Sequence, residues 1–321
     1  MLNIKTNNVM NTKMIYLKYD IKYFLKNIKY YCKLRLCEAK NKNTLYFVFE
    51  PTSGHPGLAD RMKAIIRLYN AAKKNEMGFK VFFETPFKLD DYFRFRKNNT
   101  LKLDELEYSI SDTRIINECN WHEIPKLNNS KQYHCYNYAG NNMPWEFPDT
   151  GYKWHELFQE LFEPSDKLIK VYESLNLPKT DYITIQLRFV NALDNFEAVS
   201  CCDNALNSEI EKHRLIEKCK RGIQNIMEDN PNTPVYVFSD SKRFLDSLSD
   251  MDVRVLSYGN VGHSGFAKDD TFQMRTFVDL LVMSRSKAIY RIKAKELYNL
   301  SCFALLASRM NNVKFIDVDL G

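Results

Sequence analysis

Residues 44–84 read TLYFVFEPTSGHPGLADRMKAIIRLYNAAKKNEMGFKVFFE, and the order of hydrophobic patterns in this stretch predicts the class of fold. The apolar run at 44–50 is typical of a buried strand, and the run at 78–84 is typical of a second one. Between them, apolar residues recur with a helical period over 59–77. A strand, a helix and a strand in this order predict parallel strands joined by a crossover helix. The stretch 54–61, at the junction of the first strand and the helix, has more polar and charged residues than a turn requires.

A second series of strands and helices begins near residue 165. Its predicted strands are 181–189, 233–241, 252–258, 287–292 and 312–318. Its predicted helices are 165–177, 207–229, 241–250, 271–286 and 296–310. This repeated alternation predicts an α/β fold with a doubly wound sheet. The pattern is weaker between the two series, and we interpret 141–154 (NNMPWEFPDTGYKW) as a loop or a substrate-contact surface.

The length of 321 residues favours two domains behind a basic leader. We place the leader at 1–43, a first α/β domain at 44–160 and a second at 161–321. Residues 1–42 hold ten Lys and Arg against two acids, a surplus of eight that exceeds the net charge of +6 for the whole chain. An amphipathic helix there would align Ile21, Phe24, Leu25 and Ile28 on one face. That face either docks on an anionic membrane surface or packs against the body of the protein.

Composition excludes several classes of protein. No stretch has the roughly 18 consecutive apolar residues of a transmembrane helix, and no signal peptide is evident. The eight cysteines are scattered without a C-x-x-C pair, which favours reduced thiols and a cytoplasmic location, peripheral to the membrane if the leader docks there. The spacing of Cys and His predicts no metal site. Outside the leader the charge is nearly balanced, so we expect no nucleic-acid partner.

Polar side chains follow three strands of the second series, where doubly wound sheets bind ligands. Arg188 ends the strand 181–189, and its guanidinium suits an anion such as phosphate. The alternative is a structural arginine paired with Asp194 or Glu197, which lie in the next loop.

Ser239 and Asp240 end the strand 233–241, and Ser301 lies near the last strand-to-helix junction. Ser239 and Asp240 suit a nucleotide contact, and Ser301 suits a phosphate seat at a helix N-terminus. The alternative for all three is capping of the helices that follow.

The stretch 54–61 (GHPGLADR) lacks the Lys and hydroxyl residues of a P-loop. Its glycines allow close approach of the backbone to a ligand. Arg61 on the first helical turn would then point back toward that ligand. The alternative is a surface pair of Arg61 with Asp60.

These motifs occur together in one superfamily. Gly57-Leu58-Ala59-Asp60-Arg61, Gln186-Leu187-Arg188, Val237–Ser241, Asp279–Ser284 and Ser301–Ala307 follow in that order. The chain resembles the GDP-fucose-dependent fucosyltransferases of the α1,2, α1,6 and protein-O-fucosyl type, including the nodulation fucosyltransferases. The resemblance covers about residues 44–316. It differs at Gln186, where the family has the histidine of H-x-R, and at Asp60, where several relatives have Asn.

The resemblance implies a GT-B-like architecture, in which two Rossmann-like doubly wound domains face a cleft. It implies an inverting, metal-independent glycosyltransferase that moves fucose from GDP-fucose to a glycan or oligosaccharide acceptor in polysaccharide biosynthesis. GDP-fucose would be the donor substrate, and no further cofactor is implied. The first domain would mostly hold the acceptor and the second the donor.

The resemblance also assigns roles to residues. Arg188 would grip the diphosphate, Ser239 and Asp240 would lie near the guanosine, and Ser301 with Phe303 would lie near the phosphates. Gly57, Asp60 and Arg61 would form a loop that closes on the donor.

The catalytic base would be Glu197, with Asp194 as the second candidate. Two other functions stay open at this point: a transferase that uses another nucleotide sugar, and a non-catalytic glycan- or nucleotide-binding module of the same fold.

Overall fold

The computed structural model of the chain describes residues 25, 28–49, 57–96, 99–116, 127–136, 145–179, 181–193, 204–261 and 270–321. The strands are β1 Thr44–Phe49, β2 Gly78–Phe83, β3 Phe93–Phe95, β4 Thr113–Ile116, β5 Gln132–Tyr136, β6 Phe162–Pro164, β7 Ile183–Leu187, β8 Val235–Ser239, β9 Ala288–Lys293 and β10 Lys314–Asp319. The α-helices are α1 Leu58–Lys74, α2 Trp154–Leu161, α3 Asp166–Ser174, α4 Glu209–Glu228, α5 Lys242–Asp246, α6 Asp270–Ser284 and α7 Phe303–Asn311.

The predicted α/β class is confirmed. The chain divides into two compact units, and each contains a four-stranded parallel sheet. The described residues within 25–49, 60–85 and 95–161 form the first unit, and those within 57–59, 86–94 and 162–321 form the second. The strand order is β2-β1-β5-β4 in the first sheet and β10-β9-β7-β8 in the second. Strands β3 and β6 form a separate two-stranded sheet. None of the helices in the described ranges has the length and hydropathy needed to cross a membrane.

The first sheet confirms the β-α-β prediction for 44–84. Strand β1 pairs in parallel with β2 from Thr44↔Gly78 to Phe49↔Phe83, and α1 connects the two strands. On its other side β1 pairs with β5, a strand that the sequence patterns did not predict. β5 escaped prediction because its sequence, QYHCY, carries polar residues, yet Gln132 and His134 are fully buried.

Helices lie on both faces of the second sheet. Side chains alternate between the faces of a strand, and Ile183 and Ile185 of β7 pack with α4 residues such as Cys219. On the other face, the Tyr182 hydroxyl donates to the Val282 carbonyl of α6 at 2.7 Å. This sheet is therefore doubly wound, as the alternation of strands and helices predicts.

Two predicted elements differ in the structure. The stretch 252–258 forms only one isolated parallel bridge, Tyr236↔Arg254, in which Arg254 exchanges backbone hydrogen bonds with Val235 and Val237 of β8. The predicted helix 296–310 begins only at Phe303. The residues before it form a loop because their backbone bonds to neighbouring strand ends, as at Tyr298 N–H to the Arg188 carbonyl, 2.8 Å.

The segment 145–154, which we interpreted as a loop or contact surface, packs on α1. Trp145 and Trp154 are buried, and the Lys63 amine lies 5.0 Å from the centre of the Trp145 ring. The Thr150 hydroxyl donates to the Asn70 side-chain oxygen at 2.8 Å. The described part of this segment is therefore a loop up to α2, as interpreted, and the buried side chains of Trp145, Phe147 and Trp154 fix it to the first unit while most residues between them are exposed.

Candidate functional site

The candidate site lies at the carboxyl edge of the second sheet. Its four strands are parallel, so the loops after β7, β8 and β9 emerge at the same edge. These loops and the element ends next to them hold five of the predicted residues: Arg188, Ser239, Asp240, Ser301 and Phe303.

Asp240 organises the loop after β7. Its carboxylate accepts the backbone N–H of Phe189 at 2.8 Å and that of Val190 at 2.9 Å, and it pairs with the Arg188 guanidinium at 3.2 Å. Val190 has a φ of 53°, a left-handed conformation that is costly for a β-branched residue. The carboxylate thus holds a strained turn and an arginine in fixed geometry.

Arg188 keeps access to solvent while it is anchored. Its side chain is 20% exposed, whereas that of Asp240 is 2% exposed. Among the described residues, its carboxylate partner is Asp240, next to the end of β8. Asp194 and Glu197, the alternative partners and the candidate bases, lie outside the described residues. An anchored, accessible guanidinium at a strand end can bind an anion without first having to be ordered.

The helix after β8, α5, is capped by Ser241, a residue that we did not predict as the cap. The Ser241 hydroxyl accepts the N–H of Phe244 and caps α5, while the Ser239 hydroxyl accepts the N–H of Ser241. Neither Ser239 nor Asp240 is the N-cap residue of α5. Their contact with a nucleotide stays a prediction.

Asn204 ties two of the loops together, and no sequence motif pointed to it. Its side-chain amide donates to the carbonyl of Phe189 at 2.8 Å and to that of Glu296 at 3.0 Å. The loop after β7 and the loop after β9 are therefore held in one arrangement. A charged or amide side chain far from any motif gives no sequence signal for such a role.

Arg291 positions the start of α7. It forms a two-pronged ion pair with Asp317, at 2.6 and 2.8 Å, and donates to the Ser301 carbonyl at 2.6 Å. The cap residue Cys302 makes no side-chain hydrogen bond to the helix, and the Ser301 hydroxyl lies 3.5 Å from the Phe303 nitrogen. Phe303, half-buried, opens the helix. The first-turn N–H groups of α7 suit an anion.

Gln186 stands on the same face of β7 as Arg188, because the two residues are two positions apart. Across the sheet it is in register with Arg291. It is buried, and its side-chain oxygen has no hydrogen-bond partner in the described structure. Where the family has a histidine, this chain therefore places an amide with unused hydrogen-bonding capacity.

Asp60 and Arg61 belong to α1 in the first unit, and Gly57 precedes that helix. Arg61 is only 1% exposed, and its guanidinium lies 4.6 Å from the Phe49 ring centre and 5.5 Å from that of Phe83. Burial lowers the pKa of Arg61 to about 10 and raises the pKa of Asp60. An exposed surface pair of Asp60 and Arg61 is therefore not what the structure contains.

Within the described ranges, no group of three or more His, Cys, Asp or Glu side chains is arranged to hold a metal ion. The candidate site instead presents guanidinium, amide, hydroxyl and helix N–H groups. Such groups bind phosphate oxygens and sugar hydroxyls.

Comparison of the sequence with protein-family models finds no match, and comparison with curated proteins finds none. Solved structures do match. NodZ alpha-1,6-fucosyltransferase co-crystallised with GDP has a TM-score of 0.54 and 10% identity, over 83% of this chain and 91% of that one. Fucosyltransferase NodZ from Bradyrhizobium also has a TM-score of 0.54 and 10% identity, over 83% and 92%.

A mutant of FUT1 from Arabidopsis thaliana in complex with GDP has a TM-score of 0.54 and 14% identity, over 92% of this chain and 76% of that one. The resemblance to fucosyltransferases drawn from the motifs is thus confirmed at the level of the fold.

Proposed function

We propose that the chain is an inverting, metal-independent glycosyltransferase that transfers fucose from GDP-fucose to a glycan acceptor. The observation that carries the proposal is Arg188: an accessible guanidinium, anchored by Asp240 at the carboxyl edge of a doubly wound sheet. A fold similar to that of fucosyltransferases solved with GDP supports a GDP-linked donor. We further propose a GT-B arrangement with domains at 44–160 and 161–321.

In the proposed reaction, the acceptor hydroxyl oxygen attacks the anomeric carbon of fucose. The bond from that carbon to the diphosphate oxygen breaks, and its electron pair leaves with GDP. Negative charge therefore grows on the diphosphate as the bond breaks, and groups positioned for that charge accelerate the step. Arg188 and the first-turn N–H groups of α7 are the candidates, with Ser301 and Phe303 placing the helix start and Ser239 and Asp240 near the nucleoside.

The proton of the acceptor hydroxyl must go to a base. We propose Glu197, and next Asp194, because both follow Arg188 closely in the sequence. Gly57, Asp60 and Arg61 are proposed to close on the donor from the first domain, which would hold the glycan acceptor. The burial of Arg61 against two phenylalanine rings supports a guanidinium held in one orientation.

The proposal is tested by turnover of purified protein with GDP-fucose, followed as released GDP with and without an oligosaccharide acceptor. We expect Arg188→Ala to lower turnover by about 10²- to 10³-fold, the effect of losing one transition-state donor. Arg243→Ala is the matched control, because Arg243 forms an exposed ion pair with Glu209 elsewhere in the same unit. EDTA should leave turnover unchanged. Near-normal turnover by Arg188→Ala, or strict dependence on a divalent cation, would contradict the proposal.

A second candidate is a nucleotide-binding module without catalysis. It is favoured by Gln186, which replaces a histidine of the family motif with a residue that cannot act as an acid or base at neutral pH. Binding of GDP without turnover of GDP-fucose would select this candidate. Turnover of another nucleotide sugar, with GDP-fucose inert, would instead select a transferase with a different donor.

A further inference from the structure

The first unit carries a surface in which exposed apolar and basic side chains are mixed. We call it the basic–apolar surface. Its apolar members are Leu25, Ile28, Leu36 and Ile110, and its basic members are Lys29, Lys33, Arg35 and Arg114. Four of the nine large apolar side chains that are exposed in the described ranges belong to it. Single exposed leucines are ordinary, whereas a cluster indicates an interaction surface.

Leu36 and Ile110 are brought together by the backbone. Arg35 forms a parallel bridge with Ser109, and the N–H of Ile110 donates to the Arg35 carbonyl at 2.9 Å. Leu36 is 94% exposed and Ile110 is 53% exposed. Two apolar side chains that flank one bridge and both face solvent form the centre of the surface.

The helical turn at 28–31 adds a second pair of apolar side chains. Tyr30 is buried, and its ring stacks on that of Tyr136 with centroids 3.4 Å apart. Leu25 is 58% exposed and Ile28 is 45% exposed, and their three-residue spacing places them on one helical face. Since Tyr30 anchors the turn to the first sheet, that face is directed outward.

The charges around these apolar residues are mostly positive. Residues 28–42 contain five basic side chains, Lys29, Lys33, Arg35, Lys40 and Lys42, against the single acid Glu38. The neighbouring acids Glu107 and Asp112 accept hydrogen bonds from backbone N–H groups of Lys40 and Ala39. Asp112 also forms ion pairs with Lys42 at 3.4 Å and with Lys131 at 3.5 Å. With Arg114 included, six basic side chains stand against the three acids Glu38, Glu107 and Asp112, so the net charge around the apolar residues is positive.

We propose that the basic–apolar surface docks on an anionic lipid bilayer. Leucine and isoleucine side chains would enter the headgroup region, and the basic side chains would bind lipid phosphates. A second copy of this chain fits less well, because two positive faces would repel each other. A nucleic acid also fits less well, because bases stack on aromatic rings and Tyr30 is buried against the protein.

The test is sedimentation of the full chain with vesicles of phosphatidylcholine alone, or of an equal mixture of phosphatidylcholine and phosphatidylglycerol. We expect binding to the mixed vesicles that weakens as salt is raised. The double variant Leu36→Ser with Ile110→Ser should bind about tenfold more weakly, because it loses two inserted side chains. The matched control is Ile210→Ser with Val255→Ser, two exposed apolar residues of the second unit, and it should bind as the unaltered chain does.

Circular dichroism should show that each variant is folded, since all four altered side chains are exposed. Equal binding to both vesicle types, absence of binding to the mixed vesicles, or an unaffected Leu36–Ile110 double variant would each overturn the proposal. Analytical ultracentrifugation separates the other partner: self-association that the double variant abolishes, without vesicle binding, would show that the surface joins two copies of the chain.

Discussion

Two arginines belong to the predicted motifs, Arg61 on the first turn of α1 in the first unit and Arg188 directly after β7 in the second, and their surroundings differ. Arg61 is buried against the rings of Phe49 and Phe83, and its environment lowers its pKa to about 10. Arg188 pairs with Asp240 and keeps a fifth of its side chain in solvent. A motif that names an arginine does not say whether the guanidinium packs or binds. The exposure of the side chain, 1% for Arg61 and 20% for Arg188, makes that distinction.

Removal of the Asp240 carboxylate tests whether it anchors Arg188 and the turn after β7. Asp240→Ala leaves two buried N–H groups and the Arg188 guanidinium without their acceptor. We expect unfolding in urea to require about 3–5 kcal/mol less free energy, together with loss of turnover. Asp240→Asn keeps one acceptor oxygen and should lose less stability. Unaltered stability of Asp240→Ala would show that the turn after β7 does not depend on this carboxylate.

The equivalent change in the first unit separates packing from binding at Arg61. Arg61→Ala should cost about 3 kcal/mol, because it leaves a cavity beneath two rings. Arg61→Met fills most of that volume and should restore most of the stability. If Arg61 also contacts the donor, Arg61→Met will be stable but impaired in turnover with GDP-fucose. Full turnover by Arg61→Met would reduce Arg61 to a packing residue.

A fall in pH should change the stability of the two units in opposite directions, through one buried titratable side chain in each. Burial lowers the pKa of His134 in the first unit to about 4, so the unfolded chain binds that proton first. Its contribution to stability is complete above pH 6.5 and falls by up to about 3 kcal/mol as pH drops toward 4. Burial raises the pKa of Asp279 in the second unit to about 6, so its contribution instead grows as pH falls through 6.

Unfolding of His134→Gln and Asp279→Asn across pH 4–7, each compared with the unaltered chain, isolates these two contributions. As pH falls from 7 to 4, the free energy of unfolding should decrease less for His134→Gln than for the unaltered chain, and more for Asp279→Asn. Identical pH profiles for all three proteins would show that neither side chain titrates in the folded state as its burial requires.

The smallest effect compares two serines that follow strands of the second sheet. Ser241 caps α5, so Ser241→Ala should cost about 1 kcal/mol of stability and leave GDP binding intact. Ser301 makes only a long contact with the Phe303 nitrogen, so Ser301→Ala should cost less stability but weaken GDP binding. Urea unfolding and GDP titration measure the two effects. If Ser241→Ala weakened GDP binding and Ser301→Ala cost more stability, the roles of the two serines would be exchanged.

Much of the architecture followed from local patterns, because β1, α1 and β2 each have a clear hydrophobic period. Strand β5 did not, since His134 and Gln132 are polar side chains that only the tertiary structure buries. The start of α7 was also placed too early, because the loop before it is held by Arg188 and Arg291 from other strands. A local sequence pattern cannot predict such contacts, because they join residues that are not neighbours in the sequence.

The candidate site, like the fold, could be predicted from the sequence only in part. Arg188, Ser239, Asp240 and Ser301 could be placed at one edge, because parallel strands end together. The partnership of Arg188 with Asp240 could not, since the two residues are 52 positions apart in the sequence. Asn204 had no signal at all, because its two carbonyl partners lie in different loops.

Calorimetric titration of GDP isolates the proposed contact between Arg188 and the diphosphate, because neither the acceptor nor the base takes part in GDP binding. The unaltered chain and Arg243→Ala should bind GDP equally. Arg188→Ala, shown to be folded by its urea unfolding, should bind it about ten- to 100-fold more weakly, the effect of losing a charged hydrogen bond. GDP affinity that is unchanged in Arg188→Ala would show that Arg188 does not bind the diphosphate.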